Sequence, residues 1–133
     1  MTLYVDTSAL LKRYVDERDS EVALSLMATE QVLVTSRLTE IEVRRNLARL
    51  LDTSAALAAK RQFLYDLDAF ALVALDATTC ADAARIAEQT LCRSLDSLHL
   101  AAALRAGSTT TLLTFDARQA QAARTVGLAV VGV

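Results

Sequence analysis

The apolar positions of the chain follow two spacings that alternate from one end to the other. Short runs are almost continuously apolar, and they predict buried β-strands at residues 3–5, 32–35, 72–75, 111–115 and 128–131. Between these runs, apolar residues recur every three or four positions, which predicts helices at residues 8–15, 20–28, 37–51, 55–70, 79–91, 97–106 and 117–126. Gly107 and Gly127 follow two of the helical patterns, where we expect helices to end.

Nearly continuous apolar strands separated by helices are typical of a parallel sheet covered on both faces. We therefore predict an α/β fold. In such sheets the crossover connections are right-handed, and ligands bind beyond the carboxyl ends of the strands. The carboxyl edge of the sheet is where we expect the functional side chains.

The composition predicts one folded domain over residues 1–133. Hydrophobic residues make up 53% of the chain, which has 3 glycines and no proline, so we expect neither a linker nor a disordered segment. Charges interrupt the apolar stretches well before the roughly 18 apolar residues that a membrane span requires. The N-terminus carries no export signal, and we expect a cytoplasmic protein that does not cross a membrane.

Four acidic residues occupy positions that can meet at the carboxyl edge of the sheet. Asp6 follows the first strand and Asp116 the fourth, Asp96 opens a helical pattern after the break "CRSL", and Glu42 lies in the helix after the second strand. Each aspartate has a simpler explanation as a helix cap, worth about 1 kcal/mol. Glu42 can equally be a solvated helix residue beside Arg45.

Together, the four acids point to a divalent cation. Clustered carboxylates repel one another, and a bound ion supplies the missing positive charge; hard oxygen ligands suit Mg²⁺ or Mn²⁺. Ser8 and Thr114 lie two residues from Asp6 and Asp116, where their hydroxyls can support a ligating carboxylate or serve as ordinary cap and strand hydroxyls. His99 lacks the further ligands of a zinc site, and we interpret it as a packing or supporting residue.

The net charge of −2 argues against a protein that coats nucleic acid through overall positive charge. A local patch is still compatible with the sequence, since several arginines cluster around Glu42. The planar guanidinium holds phosphate oxygens in pairs, so contacts to a nucleic-acid backbone are predicted for Arg44, Arg45 and Arg49. An ordinary solvated helix face is the alternative.

Four segments in this order resemble the PIN-domain ribonucleases, and specifically the VapC-like toxins of toxin–antitoxin modules. They are "YVDTSALLKRY" with Asp6, "LTEIEVRRNL" with Glu42, "RSLDSLHLAAAL" with Asp96 and "LLTFDARQAQAA" with Asp116. The resemblance implies a three-layer α/β/α sandwich with a mainly parallel central sheet. It also implies a Mg²⁺ or Mn²⁺ ion at the acidic cluster, cleavage of RNA, a homodimer, and inhibition by a small VapB-like antitoxin.

The resulting hypothesis is metal-assisted hydrolysis of RNA phosphodiester bonds. Asp6, Asp96 and Asp116 would hold the ion, and Glu42 would complete its shell or orient the attacking water. One alternative within the family is a PIN nuclease of RNA processing; another is a silent member that only binds partners. A third alternative is a receiver-like phosphoacceptor domain, which would require adjacent acids at the first strand and a late lysine.

Overall fold

The structure, a computed structural model, describes residues 2–30 and 32–133. Its strands are β1 (Thr2–Val5), β2 (Val32–Ser36), β3 (Ala71–Val73), β4 (Thr110–Leu113) and β5 (Ala129–Val131). Its helices are α1 (Thr7–Leu11), α2 (Ser20–Ala28), α3 (Arg37–Leu50), α4 (Thr53–Leu67), α5 (Ala77–Thr90), α6 (Ser94–Arg105) and α7 (Ala117–Thr125). Every predicted strand and helix is present, in the predicted order.

The strands form one sheet in the order β3-β2-β1-β4-β5, and every neighbouring pair is parallel. β1 lies at the centre, where Tyr4 pairs with Val34 of β2 and with Leu112 of β4. Because all strands point the same way, the residues that follow β1, β2 and β4 emerge at one edge. This order differs from the 2-1-3-4-5 order of receiver-type folds, so the receiver alternative loses its structural basis.

The side chains of β1 alternate between two hydrophobic cores, one on each face of the sheet. Leu3 and Val5 pack with apolar residues of α1, α2, α3 and α4. Tyr4 points to the opposite face and packs with apolar residues of α5, α6 and α7. The sheet is therefore covered by helices on both sides, which confirms the three-layer α/β/α sandwich.

Several boundaries differ from prediction, and at α5 a local hydrogen bond accounts for the difference. β3 ends at Val73, and Asp76 then caps α5 through the N–H of Thr79, so α5 begins earlier than the predicted residue 79. Helix α6 begins at Ser94, which places Asp96 inside its first turn and not at its opening. Helix α1 ends at Leu11, short of the predicted residue 15.

Gly107 and Gly127 lie two residues after the last residues of α6 and α7, with φ values of 134° and 89°, which confirms their predicted role in ending helices. Within residues 2–30 and 32–133, none of the helices combines the length and apolar character needed to span a bilayer.

Candidate active site

Asp6 lies at the carboxyl end of β1 and caps helix α1. Its Oδ1 accepts hydrogen bonds from the backbone N–H of Ala9 at 2.9 Å and from the hydroxyl of Ser8 at 2.7 Å. Thr114 donates to the other oxygen, Oδ2, at 2.6 Å. Helix capping by Asp6 is therefore confirmed, and both hydroxyls proposed as supports contact this carboxylate.

The carboxylate of Asp6 is almost fully buried, with 2% of the residue exposed. Burial raises the pKa of Asp6, although the nearby His99 and the hydrogen bonds from Thr114, Ala9 and Ser8 act in the opposite direction. A buried carboxylate of this kind is ionised more readily when a cation lies close to it. Asp6 is thus a group whose charged form a bound cation would stabilise.

Glu42 projects from the second turn of α3 towards the same edge of the sheet. Its Oε1 accepts a hydrogen bond from the hydroxyl of Thr7 at 2.7 Å and lies 2.7 Å from Nε2 of His99. Partial burial acts to raise the pKa of Glu42, but the hydrogen bond and charge of His99, with the Thr7 hydrogen bond, outweigh it and lower the pKa. These contacts hold an ionised Glu42 in one orientation.

His99 connects Glu42 to the centre of the sheet. The ring is buried, and its Nδ1 lies 2.9 Å from the hydroxyl of Tyr4, which in turn donates to Oγ of Ser36 at 3.0 Å. Tyr4 and Ser36 belong to neighbouring strands and are fully buried. The prediction that His99 is a packing residue is confirmed by its burial, and the ring also contacts Glu42, one of the four acids.

Asp96 and Asp116 are bridged by one guanidinium. Nε of Arg93 donates to Oδ2 of Asp96 at 3.1 Å, and Nη2 of Arg93 lies 3.5 Å from Oδ2 of Asp116. Asp116 also caps α7, because its Oδ1 accepts from the backbone N–H of Arg118 at 2.9 Å. Asp96 lies in the first turn of α6, where the helix dipole favours a negative charge.

A single open cleft of about 400 Å³ at the carboxyl edge is lined by the predicted acids Asp6, Glu42, Asp96 and Asp116. Their carboxylate oxygens are the donor type that Mg²⁺ and Mn²⁺ prefer, so the chemistry of the donor set fits such an ion. As placed, however, no three or more Asp, Glu, His or Cys side chains among residues 2–30 and 32–133 are arranged to hold a metal ion. Arg93 bridges two of the carboxylates, and hydroxyl groups hold the other two.

The three arginines predicted to contact nucleic acid lie on two sides of α3. Arg44 is 3.7 Å from Glu40 and lines a separate recess between α3 and α4. Arg45 acts electrostatically on Glu42, and Arg49 donates to Asn46, which itself lines the acidic cleft. Arg45 and Arg49 therefore lie on the face of α3 that carries Glu42 and Asn46, whereas Arg44 lies on the other face. None of the three is among the residues that line the cleft.

Sequence reasoning did not single out seven further residues that line the cleft. They are Thr7, Leu11, Asn46, Arg93, Ser94, Leu95 and Gln119. Arg93 carried a usable signal, since it lies three residues before Asp96, a spacing at which a basic side chain reaches an acid around the first turn of a helix. Gln119 carried no such signal in the sequence. It is only 2% exposed, and this burial follows from the packing of α7 on the sheet.

Residues 3–125 match the family model described as the PIN domain. The chain belongs to the PIN-domain family. Among curated PIN relatives, the ribonuclease VapC35 of Mycobacterium tuberculosis is 37% identical over 134 residues, a match that covers 97% of this chain and 95% of that protein. The resemblance drawn from the four acidic segments is thereby confirmed at the level of the family.

Solved structures share the PIN fold over nearly the whole chain. The structure of FitAcB from Neisseria gonorrhoeae superposes with a TM-score of 0.78 at 20% identity, covering 98% of this chain and 96% of that one. A toxin–antitoxin complex from Klebsiella pneumoniae gives a TM-score of 0.73 at 16% identity, covering 99% and 97%. At these identities the likeness concerns the fold alone.

Proposed function

We propose that this protein is a divalent-metal-dependent endoribonuclease, the toxin of a VapBC-type toxin–antitoxin module. The observation that supports this most is the gathering of four acids, from three helix starts and α3, in one cleft of a PIN-family chain. A curated relative that matches nearly the full length of the chain carries the name ribonuclease. The substrate class in the proposal, RNA, comes from that relative.

Asp6, Asp96 and Asp116 would hold the ion, which is Mg²⁺ or Mn²⁺ by the chemistry of its ligands. When bound, such an ion lowers the pKa of a water molecule and stabilises the charge that builds on the phosphate during hydrolysis. Glu42 would complete the shell or orient the attacking water. Its low pKa keeps it in the ionised form that accepts a proton from that water.

The surrounding residues fix the positions of these acids. Ser8 and Thr114 each hold one oxygen of Asp6, and His99 holds Glu42 through a direct contact of 2.7 Å. Holding reactive groups in place before the substrate arrives reduces the entropy lost on reaching the transition state. In this proposal the buried hydrogen-bond network is the device that keeps the cleft preorganised.

Arg45 and Arg49 are proposed to contact the RNA backbone beside the cleft. Both lie on the side of α3 that carries Glu42 and Asn46, at spacings that place side chains on one helix face. Two arginines would position a phosphate chain without making the protein basic overall, in keeping with its net charge of −2. We do not extend this role to Arg44, which pairs with Glu40 elsewhere.

The proposed partners are RNA, a small VapB-like antitoxin and a second copy of the chain. The similar structure from Klebsiella pneumoniae is described as a toxin–antitoxin complex, which supports the antitoxin. Co-expression with the product of the neighbouring reading frame, followed by co-purification, tests that partner. Light scattering of the purified chain tests the dimer.

The test of the activity is cleavage of a set of defined RNAs by purified chain in Mg²⁺ or Mn²⁺, with DNA of the same sequences in parallel. Asp6→Asn and Asp116→Asn should each reduce the rate about a hundredfold or more. Both variants should remain folded, because asparagine caps a helix nearly as well as aspartate. Asp82→Asn, in an ion pair with Arg85 outside the cleft, serves as the matched control and should keep full activity. Full activity of both cleft variants would end the proposal.

A further inference from the structure

Arg93 lies at the mouth of the acidic cleft, with its guanidinium against two of the four carboxylates. It contacts Oδ2 of Asp96 at 3.1 Å and Oδ2 of Asp116 at 3.5 Å. The arginine side chain is 68% exposed, whereas the side chain of Asp96 is 12% exposed. The positive group thus covers the more deeply placed negative groups from the solvent side.

The helix that follows does not depend on this guanidinium. Arg93 is the N-cap residue of α6, but its side chain makes no capping hydrogen bond. The first turn of α6 is closed instead by Ser97, whose hydroxyl donates to the carbonyl of Ser94 at 2.7 Å, and by the backbone N–H of Ser97 to the carbonyl of Arg93. Removing the charge of Arg93 should therefore leave α6 intact.

A divalent cation that uses Asp116 needs the oxygen atom that Arg93 contacts, Oδ2, because Oδ1 already accepts the backbone N–H groups of Arg118 and Gln119. At Asp96 the ion and Arg93 compete for the same carboxylate. An ion of this kind binds carboxylate oxygens directly at about 2.0–2.2 Å and carries two positive charges, so it repels a guanidinium at the same oxygens. The ion pairs of Arg93 are largely open to water, and exposed ion pairs are weak and easily exchanged. The long arginine side chain can then turn out into solvent.

We infer that Arg93 is a built-in competitor of the divalent cation: its guanidinium contacts the carboxylates of Asp96 and Asp116 and must leave Oδ2 of Asp116 before an ion binds that atom. The inference rests on the proposed function, because it assumes that the acidic cleft takes an ion. It adds that the affinity of the cleft for that ion is set partly by a residue of the chain that is not a ligand.

Calorimetric titration of the purified full chain with Mn²⁺, without RNA, tests the inference. Arg93→Gln removes the charge and should tighten the apparent Kd by roughly two- to fivefold, the range that corresponds to a weak exposed ion pair. Arg93→Lys keeps a positive charge and should stay nearer to wild type. Arg85→Gln breaks an ion pair with Asp82 at the same three-residue spacing, away from the cleft, and should leave the Kd unchanged. The gap between wild type and Arg93→Gln should narrow at high monovalent salt.

Two results would overturn the inference while leaving the metal centre in place. One is an equal Mn²⁺ affinity for wild type and Arg93→Gln. The other is a weaker affinity for Arg93→Gln, which would mean that Arg93 holds the carboxylates ready for the ion. If neither wild type nor any variant binds Mn²⁺, and RNA cleavage survives chelation, the metal-dependent function itself fails and this inference fails with it.

Discussion

Removal of a single buried hydroxyl, by Tyr4→Phe, tests whether the network behind the cleft supports the fold. The hydroxyl of Tyr4 donates to Ser36 at 3.0 Å and lies 2.9 Å from Nδ1 of His99. Burial raises the pKa of Tyr4, so the hydroxyl stays protonated as a donor at neutral pH. Phenylalanine keeps the ring packing but leaves buried polar atoms of Ser36 and His99 without this partner.

An unsatisfied buried polar group costs about 1–3 kcal/mol, so the free energy of unfolding should fall by about 2–3 kcal/mol. For a chain of this size that corresponds to a Tm lower by roughly 10 °C. Urea denaturation followed by circular dichroism measures this change in the free energy of unfolding. An unchanged m-value would show that the substitution altered stability and not the surface exposed on unfolding. Tyr65→Phe is the matched control. Tyr65 is 76% exposed, so loss of its hydroxyl should hardly change the free energy of unfolding.

A double-mutant cycle with Ser36→Ala separates the hydrogen bond from the packing. If the two groups interact, Ser36→Ala should cost less in the Tyr4→Phe background than in the wild type. A Tyr4→Phe variant within about 0.5 kcal/mol of wild type would refute the reasoning, because changes of that size are typical of surface substitutions.

Two further predictions concern the ends of strands and helices. An alanine Cβ at Gly132, where φ is 104°, would lie 2.3 Å from the carbonyl oxygen of Thr114, whereas a Cβ added at Gly127 meets open space. Gly132→Ala should therefore lower the free energy of unfolding by about 1–3 kcal/mol more than Gly127→Ala does. Equal losses in urea denaturation would show that the contact with Thr114 is unimportant. Hydrogen bonds from the N–H of Thr79 and from Arg105 lower the pKa of Asp76 to about 2. The ionised Asp76 should therefore stabilise the fold fully above the ordinary aspartate pKa of about 3.9, and this stabilisation should be lost as the pH falls towards 2. The difference in Tm between wild type and Asp76→Asn should shrink over that interval, and a constant difference would contradict the assignment.

The sequence predicted the fold well because its strands and helices differ sharply in pattern. β1 and β4 are short apolar runs, and the helices around them repeat apolar residues at helical spacing, so few alternative assignments exist. Parallel strands then place Asp6 and Asp116 at one edge by geometry alone. The proximity of these two acids was therefore predictable from the sequence alone.

The contacts within the cleft were less predictable because they join distant segments. Side-chain hydrogen bonds join Glu42 to His99 and His99 to Tyr4, and so connect α3, α6 and β1. No spacing in the sequence indicates that these residues meet. Arg93 bridges Asp96 to Asp116 across 20 positions of sequence because α6 and α7 start at the same edge of the sheet. Long-range contacts of this kind follow from tertiary packing, which local patterns do not encode.

The proposed function requires that the acidic cleft cleaves RNA with the help of a divalent ion. The most direct measurement is the rate at which the wild-type chain cleaves one synthetic RNA, first after treatment with EDTA and then after Mg²⁺ or Mn²⁺ is restored in excess. We expect cleavage to stop under chelation and to return with either ion. An undiminished rate in EDTA would contradict the claim.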